Sequence, residues 1–164
     1  MTTQLMIPEN ALTVNEAEAF QALTFATEAT LKTLAQHSHV PENLYDEANR
    51  LGLLPGGPVQ YIYTGANGHE DNVFRLEIAL PIQEPGKKPF AFHYRKFPIF
   101  RHVAHTHYGP WSDFRELYRA LFDQLHRDGH QNDGRVREVY YVIDPDNQAN
   151  NVTAIQIGIA PAFH

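Results

Sequence analysis

Phe100-Arg101-His102-Val103-Ala104-His105-Thr106-His107, broken by Gly109-Pro110 and followed by Phe114-Arg115-Glu116-Leu117-Tyr118-Arg119-Ala120-Leu121-Phe122-Asp123-Gln124-Leu125, holds the key to the architecture of the chain. The first eight residues read as a strand. In the second segment Phe114, Leu117, Tyr118, Leu121, Phe122 and Leu125 recur at helical spacing and make one apolar stripe. Asp113 and Glu116 have capping-box spacing, although that box prefers Ser or Thr first. Gly129 ends the helix. Val136 to Ile143 reads as a strand, Asp144-Pro145-Asp146-Asn147 as a turn, and Val152 to Ile159 as a strand. The unit is strand, helix, hairpin.

The same order precedes it. Phe20 to Phe25 reads as a strand, and Thr27 caps a predicted helix from Glu28. Leu31, Leu34, Ala35, Leu44, Tyr45 and Ala48 carry helical spacing, with a kink or a fresh start expected at Pro41 and a stop at Gly52. Leu54-Pro55-Gly56-Gly57-Pro58 is a turn cluster. Val59 to Tyr63 and Phe74 to Leu80 form a hairpin whose tip is Asn67-Gly68. A slide of about 80 residues lays Phe20–Thr24 on Phe100–Ala104, and one of 78 to 79 lays Tyr63 on Tyr141 and Leu76–Pro81 on Ile155–Ala160. The chain is therefore one domain, residues 1–164, built as a tandem β-α-β-β repeat with halves at about 16–82 and 96–161. Gln83 to Pro89 is the polar linker, and Phe90 to Tyr94 a further short strand. Each half carries its helix on one sheet face. Faces away from the helices then meet in a cleft, a natural ligand site.

Composition narrows the function. The chain has 164 residues and no cysteine, which excludes disulfides, a thiolate zinc site and a cysteine nucleophile. A net charge of −6 argues against a direct grip on nucleic acid. No apolar run approaches the roughly 20 residues of a membrane span, and Met1–Asn10 lacks a signal-peptide pattern, so a cytoplasmic location is expected. Ser38 and Ser112 carry no hydrolase signature, and phosphate loops and dinucleotide fingerprints are absent. Aromatic residues reach 12%, with ten Phe, eight Tyr and one Trp, and these fill either a core or an apolar pocket.

His107-Tyr108-Gly109-Pro110-Trp111 resembles the histidine–any–glycine–proline–aromatic signature of the GyrI-like small-molecule-binding domains. Gly57-Pro58 with Tyr61-Ile62-Tyr63, Leu76-Glu77-Ile78-Ala79-Leu80-Pro81, Arg137-Glu138-Val139-Tyr140-Tyr141 with Asp144-Pro145, and Thr153-Ala154-Ile155-Gln156-Ile157 resemble its other elements in order, over about residues 16–161. Between Tyr140 and Asp144 the chain carries one residue more than the family pattern, so either Tyr140 or Tyr141 takes the family's tyrosine position. The resemblance implies an α+β fold: a pseudo-twofold pair of β-α-β-β units forming a concave antiparallel sheet, with two helices on its outer face. It also implies a receptor for a lipophilic ligand, aromatic and cationic if a cleft glutamate faces it, acting as a sensor or as a drug or toxin antidote. Family regulators carry a helix-turn-helix before this domain. Here about fifteen residues precede the first strand, so no direct nucleic-acid contact is expected. The alternatives are a hydrolase of electrophilic natural products and a protein-interaction module such as a gyrase-protecting antidote.

Glu138 lies in an apolar and aromatic strand. Facing the cleft, its carboxylate suits a cation receptor, or a general base in a hydrolase. Facing outward, it pairs with Arg101, Arg135 or Arg137. Glu77 carries the same choice. Trp111 is either a stacking wall for the ligand or a staple for its helix. Tyr61, Tyr63, Tyr140 and Tyr141 divide between the two sheet faces. Phe100 forms a lip of the cleft or part of the core. His105 and His107 share a face, but no third ligand accompanies them, so neither a metal nor a cofactor is expected. His107 otherwise orders the turn before Gly109.

Overall fold

The computed structural model describes residues 12–161, and the Met1–Asn10 stretch read above for a leader lies outside them. Eight strands form one antiparallel sheet: β1 (Val14–Ala17), β2 (Phe20–Ala29), β3 (Gln60–Thr64), β4 (Phe74–Ile82), β5 (His93–Phe97), β6 (Phe100–Tyr108), β7 (Asn132–Val142) and β8 (Val152–Ile159). Two helices, α1 (Val40–Leu51) and α2 (Phe114–Arg127), lie between β2 and β3 and between β6 and β7. The spatial order is β1-β6-β8-β7-β3-β4-β2-β5, so the two halves mirror each other about the β7–β3 pair. The two repeats thus share one sheet.

Short links force the sheet to curl. Two residues, Glu18-Ala19, join β1 to β2, and two, Pro98-Ile99, join β5 to β6. Each link spans six places in the strand order. A flat sheet would separate those strands by about 29 Å at roughly 4.8 Å per strand. Three Cα–Cα steps reach at most about 11 Å. The sheet therefore bends into a half-barrel, with both helices on its outer face. Inside it, Phe20 stacks on Phe97 at 4.9 Å, and the Arg137 guanidinium of β7 lies 5.6 Å from the Phe97 ring and 4.0 Å from the Phe100 ring.

On the outer face each helix caps its own half. Val40, Leu44 and Ala48 of α1 pack on Leu23, Leu76, Ile78 and Leu80. Leu117, Leu121 and Leu125 of α2 pack on Val103, Ile155, Ile157 and Ile159. The first half departs from the sequence expectation: β2 runs on to Ala29, paired with Phe74, instead of yielding to a helix at Glu28. Nine residues of ladder against β4 outweigh a local cap at Thr27, which donates only to the neighbouring Glu28 carbonyl. The helix starts afresh at Val40 with Pro41 in its first turn, and Gly52 ends it at φ +69°. The expected short strand lies a few residues further on, at His93–Phe97, and β1 carries no sequence signal of its own.

The ladders fix the repeat at a shift of 77: Tyr61 pairs with Ile78 as Glu138 pairs with Ile155. Tyr63 therefore corresponds to Tyr140, not to Tyr141. A bulge after Tyr140 accounts for the extra residue, since Tyr140 faces Thr153 while Val142 already faces Val152. Near the other end of the β7–β8 hairpin, Gly158 lies under the Asp133 carboxylate, which a Cβ at that position would meet. Gly158→Ala is expected to lower the unfolding free energy by about 1–3 kcal/mol in urea titration.

Candidate functional site

Strand alternation sends Tyr61, Tyr63, Val136, Glu138, Tyr140 and Thr153 to the helix side of the central strands. The Glu138 carboxylate is buried there, 5% exposed, between the two helix-capped cores. Tyr63 donates its hydroxyl to Oε1 at 3.0 Å, Tyr140 donates to the same oxygen, and Tyr118 from α2 donates to Oε2. Among the described residues no Lys, Arg or His forms an ion pair with it. The charge is solvated by phenols alone.

Burial pushes the Glu138 carboxyl above its ordinary value of 4.5, while the hydroxyls of Tyr118, Tyr140 and Tyr63 pull it back. The tyrosines respond in the opposite sense. Burial, reinforced by the carboxylate, lifts Tyr63, Tyr118 and Tyr140 well above their usual range and takes Tyr61 to about 12. Removing a carboxylate from water costs several kcal/mol even after relaxation. A hydrogen bond to a charged group returns about 1.5–3 kcal/mol. Three such bonds make the site tolerable, but they supply no opposite charge.

Aromatic edges complete the box. Tyr61 meets Tyr140 edge-on at 5.1 Å, and Trp111 meets Tyr140 edge-on at 5.4 Å. Trp111 donates from Nε1 to Thr153 Oγ1 at 3.1 Å, and at 36% exposure it forms the rim toward solvent. The turn that places Trp111 is built by its neighbours. His107 Nε2 lies 3.0 Å from Asp113 Oδ2, and this pair spans Gly109. Gly109 has φ +143°, and a Cβ there would come within 3.3 Å of His107 Nε2. Both the backbone angle and the close approach call for glycine. The expected capping box does not form, because Asp113 already has a helical backbone and its carboxylate is engaged by His107.

Of the nine candidate residues Tyr61, Tyr63, Trp111, Glu138 and Tyr140 converge, and His107 stands behind them, ordering the turn that places Trp111. The other three do not. Glu77 points into the half-barrel, where Arg75 holds it at 3.4 Å and Arg95 also bonds it. Phe100 lies on that same inner face against Arg137. Tyr141 is bulged outward and 57% exposed. The expected cleft on the faces away from the helices is thus separated from Glu138 by the thickness of the sheet, because Arg137 and Glu138 alternate on β7. Tyr118 and Thr153 were not among the candidates. The signal for Tyr118 was a phenol inside a stripe of Phe and Leu, since a buried hydroxyl needs a partner. His105 and His107 share the helix side, and among the described residues no cluster of three metal-ligating side chains occurs.

No curated protein matches the sequence. Among solved structures, the C-terminal domain of EcmrR is 16% identical and superposes with a TM-score of 0.76, covering 92% of this chain and 97% of that one. SAV2435 bound to tetraphenylphosphonium is 10% identical, with a TM-score of 0.62, and the match covers 92% of this chain and 94% of that one. A hydrolase from Listeria innocua is 11% identical, with a TM-score of 0.58 and coverages of 92% and 93%. At these identities the likeness speaks for the fold. No helix among the described residues is long and apolar enough to cross a membrane. The sequence profile of the GyrI-like small molecule binding domain matches residues 13–160, and the chain belongs to that family.

Proposed function

We propose that this domain is a receptor for a lipophilic aromatic cation, held between α2 and the centre of the sheet, and that it acts as a sensor or an antidote. Glu138 provides the charge. Tyr61, Tyr63, Tyr118, Tyr140 and Trp111 provide the walls. The supporting observation is a buried carboxylate that accepts three phenolic hydrogen bonds and, among the described residues, has no cationic partner. A cation about 4 Å away would contribute roughly 4 kcal/mol at an effective dielectric of 20. Rings presenting their faces would add about 0.5–2 kcal/mol each. Entry requires Trp111 and Tyr140 to turn aside, since their rings close the rim.

A hydrolytic role for Glu138 is less well supported. Tyrosine hydroxyls occupy both of its oxygens, leaving it poorly placed to take a proton from water. The test uses two ions of nearly equal shape and opposite charge, tetraphenylphosphonium and tetraphenylborate. Trp111 is the single tryptophan, so its fluorescence reports on the site directly. The cation is expected to quench it saturably and to raise Tm, whereas the borate does neither. Equal responses would contradict the reading. Multiple turnovers of an electrophilic ligand would favour the hydrolase.

A further inference from the structure

The inner face of the half-barrel carries a second buried charge that, among the described residues, forms no ion pair. Arg137 is 2% exposed, and among the described residues neither Nε nor Nη1 has a hydrogen-bond acceptor. Phe100 covers its guanidinium at 4.0 Å, and Phe20 and Phe97 flank it at 5.6 Å. Rings satisfy the faces of a guanidinium, but its N–H edge still requires acceptors. The nearby carboxylates are committed elsewhere: Glu77 to Arg75 and Arg95, and Asp133 to Arg135 at 2.7 Å. Arg137 also lines a recess of about 200 Å³, together with Phe20, Gly57, Pro58, Gln60 and Tyr141. Gln60 contributes a second orphan, a buried Oε1 with no donor.

We propose that this recess is a binding site for a small aromatic carboxylate that also carries a hydrogen-bond donor. The guanidinium fork takes the carboxylate, the donor meets Gln60 Oε1, and the ring lies among Phe20, Pro58 and Tyr141. Either edge of the planar fork, Nε with Nη2 or Nη1 with Nη2, matches a carboxylate with two parallel bonds and gives one of the two orphans an acceptor. The volume limits the ligand, because drug-sized pockets run to roughly 300–1,000 Å³ and this one admits about a single ring. Burial lowers Arg137 to about 10, helped by Arg135 and Arg95, so the group is a cation at neutral pH. The site is independent of the cation box, from which the sheet separates it.

The three hydroxybenzoates serve as probes, with the matching hydroxybenzamides as neutral controls, read by calorimetry and by amide shifts in NMR. At least one hydroxybenzoate is expected to bind tenfold or more tightly than its amide, with shifts centred on β3 and β7. Arg137→Met should abolish that preference. Gly57→Leu is a second variant that keeps the guanidinium: a Cβ there makes only ordinary contacts, at 3.6 Å and more, and the longer side chain fills the recess. It should also abolish binding. Binding should persist in protein saturated with tetraphenylphosphonium, and it stands whether or not that cation binds. The proposal is overturned by equal binding of acid and amide, by retained binding in folded Gly57→Leu, or by inorganic phosphate binding as tightly as the carboxylates.

Discussion

Glu138→Gln lowers affinity for tetraphenylphosphonium at least a hundredfold, about 2.8 kcal/mol at 1.4 kcal/mol per decade. The variant keeps the size of the side chain and an acceptor oxygen for the tyrosines, so the aromatic walls remain. It removes the charge and turns one hydrogen bond round, since the amide NH2 that replaces Oε2 donates to the Tyr118 hydroxyl instead of accepting from it. That magnitude lies below the roughly 4 kcal/mol of a close pair at an effective dielectric of 20, because the ligand must shed its own hydration. Trp111→Ala removes a wall but no charge, and a loss near tenfold is expected. Fluorescence anisotropy of a cationic dye, displaced by tetraphenylphosphonium, measures both variants on one scale. A Glu138→Gln protein that binds as tightly as the wild type would show the affinity to be hydrophobic alone.

Stability should respond to the same substitution in the other direction. The carboxyl is held above 4.5 in the folded chain by burial. As pH rises past 4.5, the unfolded chain releases this proton first. The folded chain then binds more protons than the unfolded one, and stability falls with pH. The contribution of Glu138 is therefore fully present at low pH and is lost as pH climbs through the folded value, by up to about 1.4 kcal/mol per pH unit inside that window. Glu138→Gln lacks this slope. Its Tm should exceed that of the wild type at neutral pH, and the advantage should vanish below about pH 4.5. A bound cation favours the ionised acid, so wild-type affinity for tetraphenylphosphonium should rise with pH over the same window. Chemical denaturation from pH 4 to 8 checks the first statement, and titration over that range checks the second. A flat difference between the two proteins would mean that the carboxyl titrates alike in the folded and unfolded chains.

Much of this was legible in the chain. The strand–helix–hairpin repeat and the stop at Gly52 follow from periodicity and punctuation alone. The α2 stripe located its helix to within a few residues, because Leu117, Leu121 and Leu125 are the buried positions. The chain alone did not reveal which way each strand residue points. Pattern alone slides the chain onto itself at 78 to 79, whereas the ladders set the shift at 77, and one residue of register reverses every side chain. That single step separates Tyr140, in the box, from Tyr141, on the surface. Glu77 and Glu138 look alike in sequence, each an acid in an apolar strand. Their ladders place them on opposite faces, one paired with arginines and the other with tyrosines. The curl of the sheet was hidden in two short links, Glu18-Ala19 and Pro98-Ile99, whose meaning depends on strand order. Tyr118 hides as core in the sequence because an apolar stripe conceals its hydroxyl.

The most direct measurement is a crystal structure of the domain with tetraphenylphosphonium. The cation is expected between α2 and strands β3 and β7, beside the Glu138 carboxylate, with the Trp111 and Tyr140 rings turned from their present edge-on contact. A cation bound on the inner face of the half-barrel, or on the surface with the Tyr63–Glu138–Tyr118 hydrogen bonds intact, would contradict it.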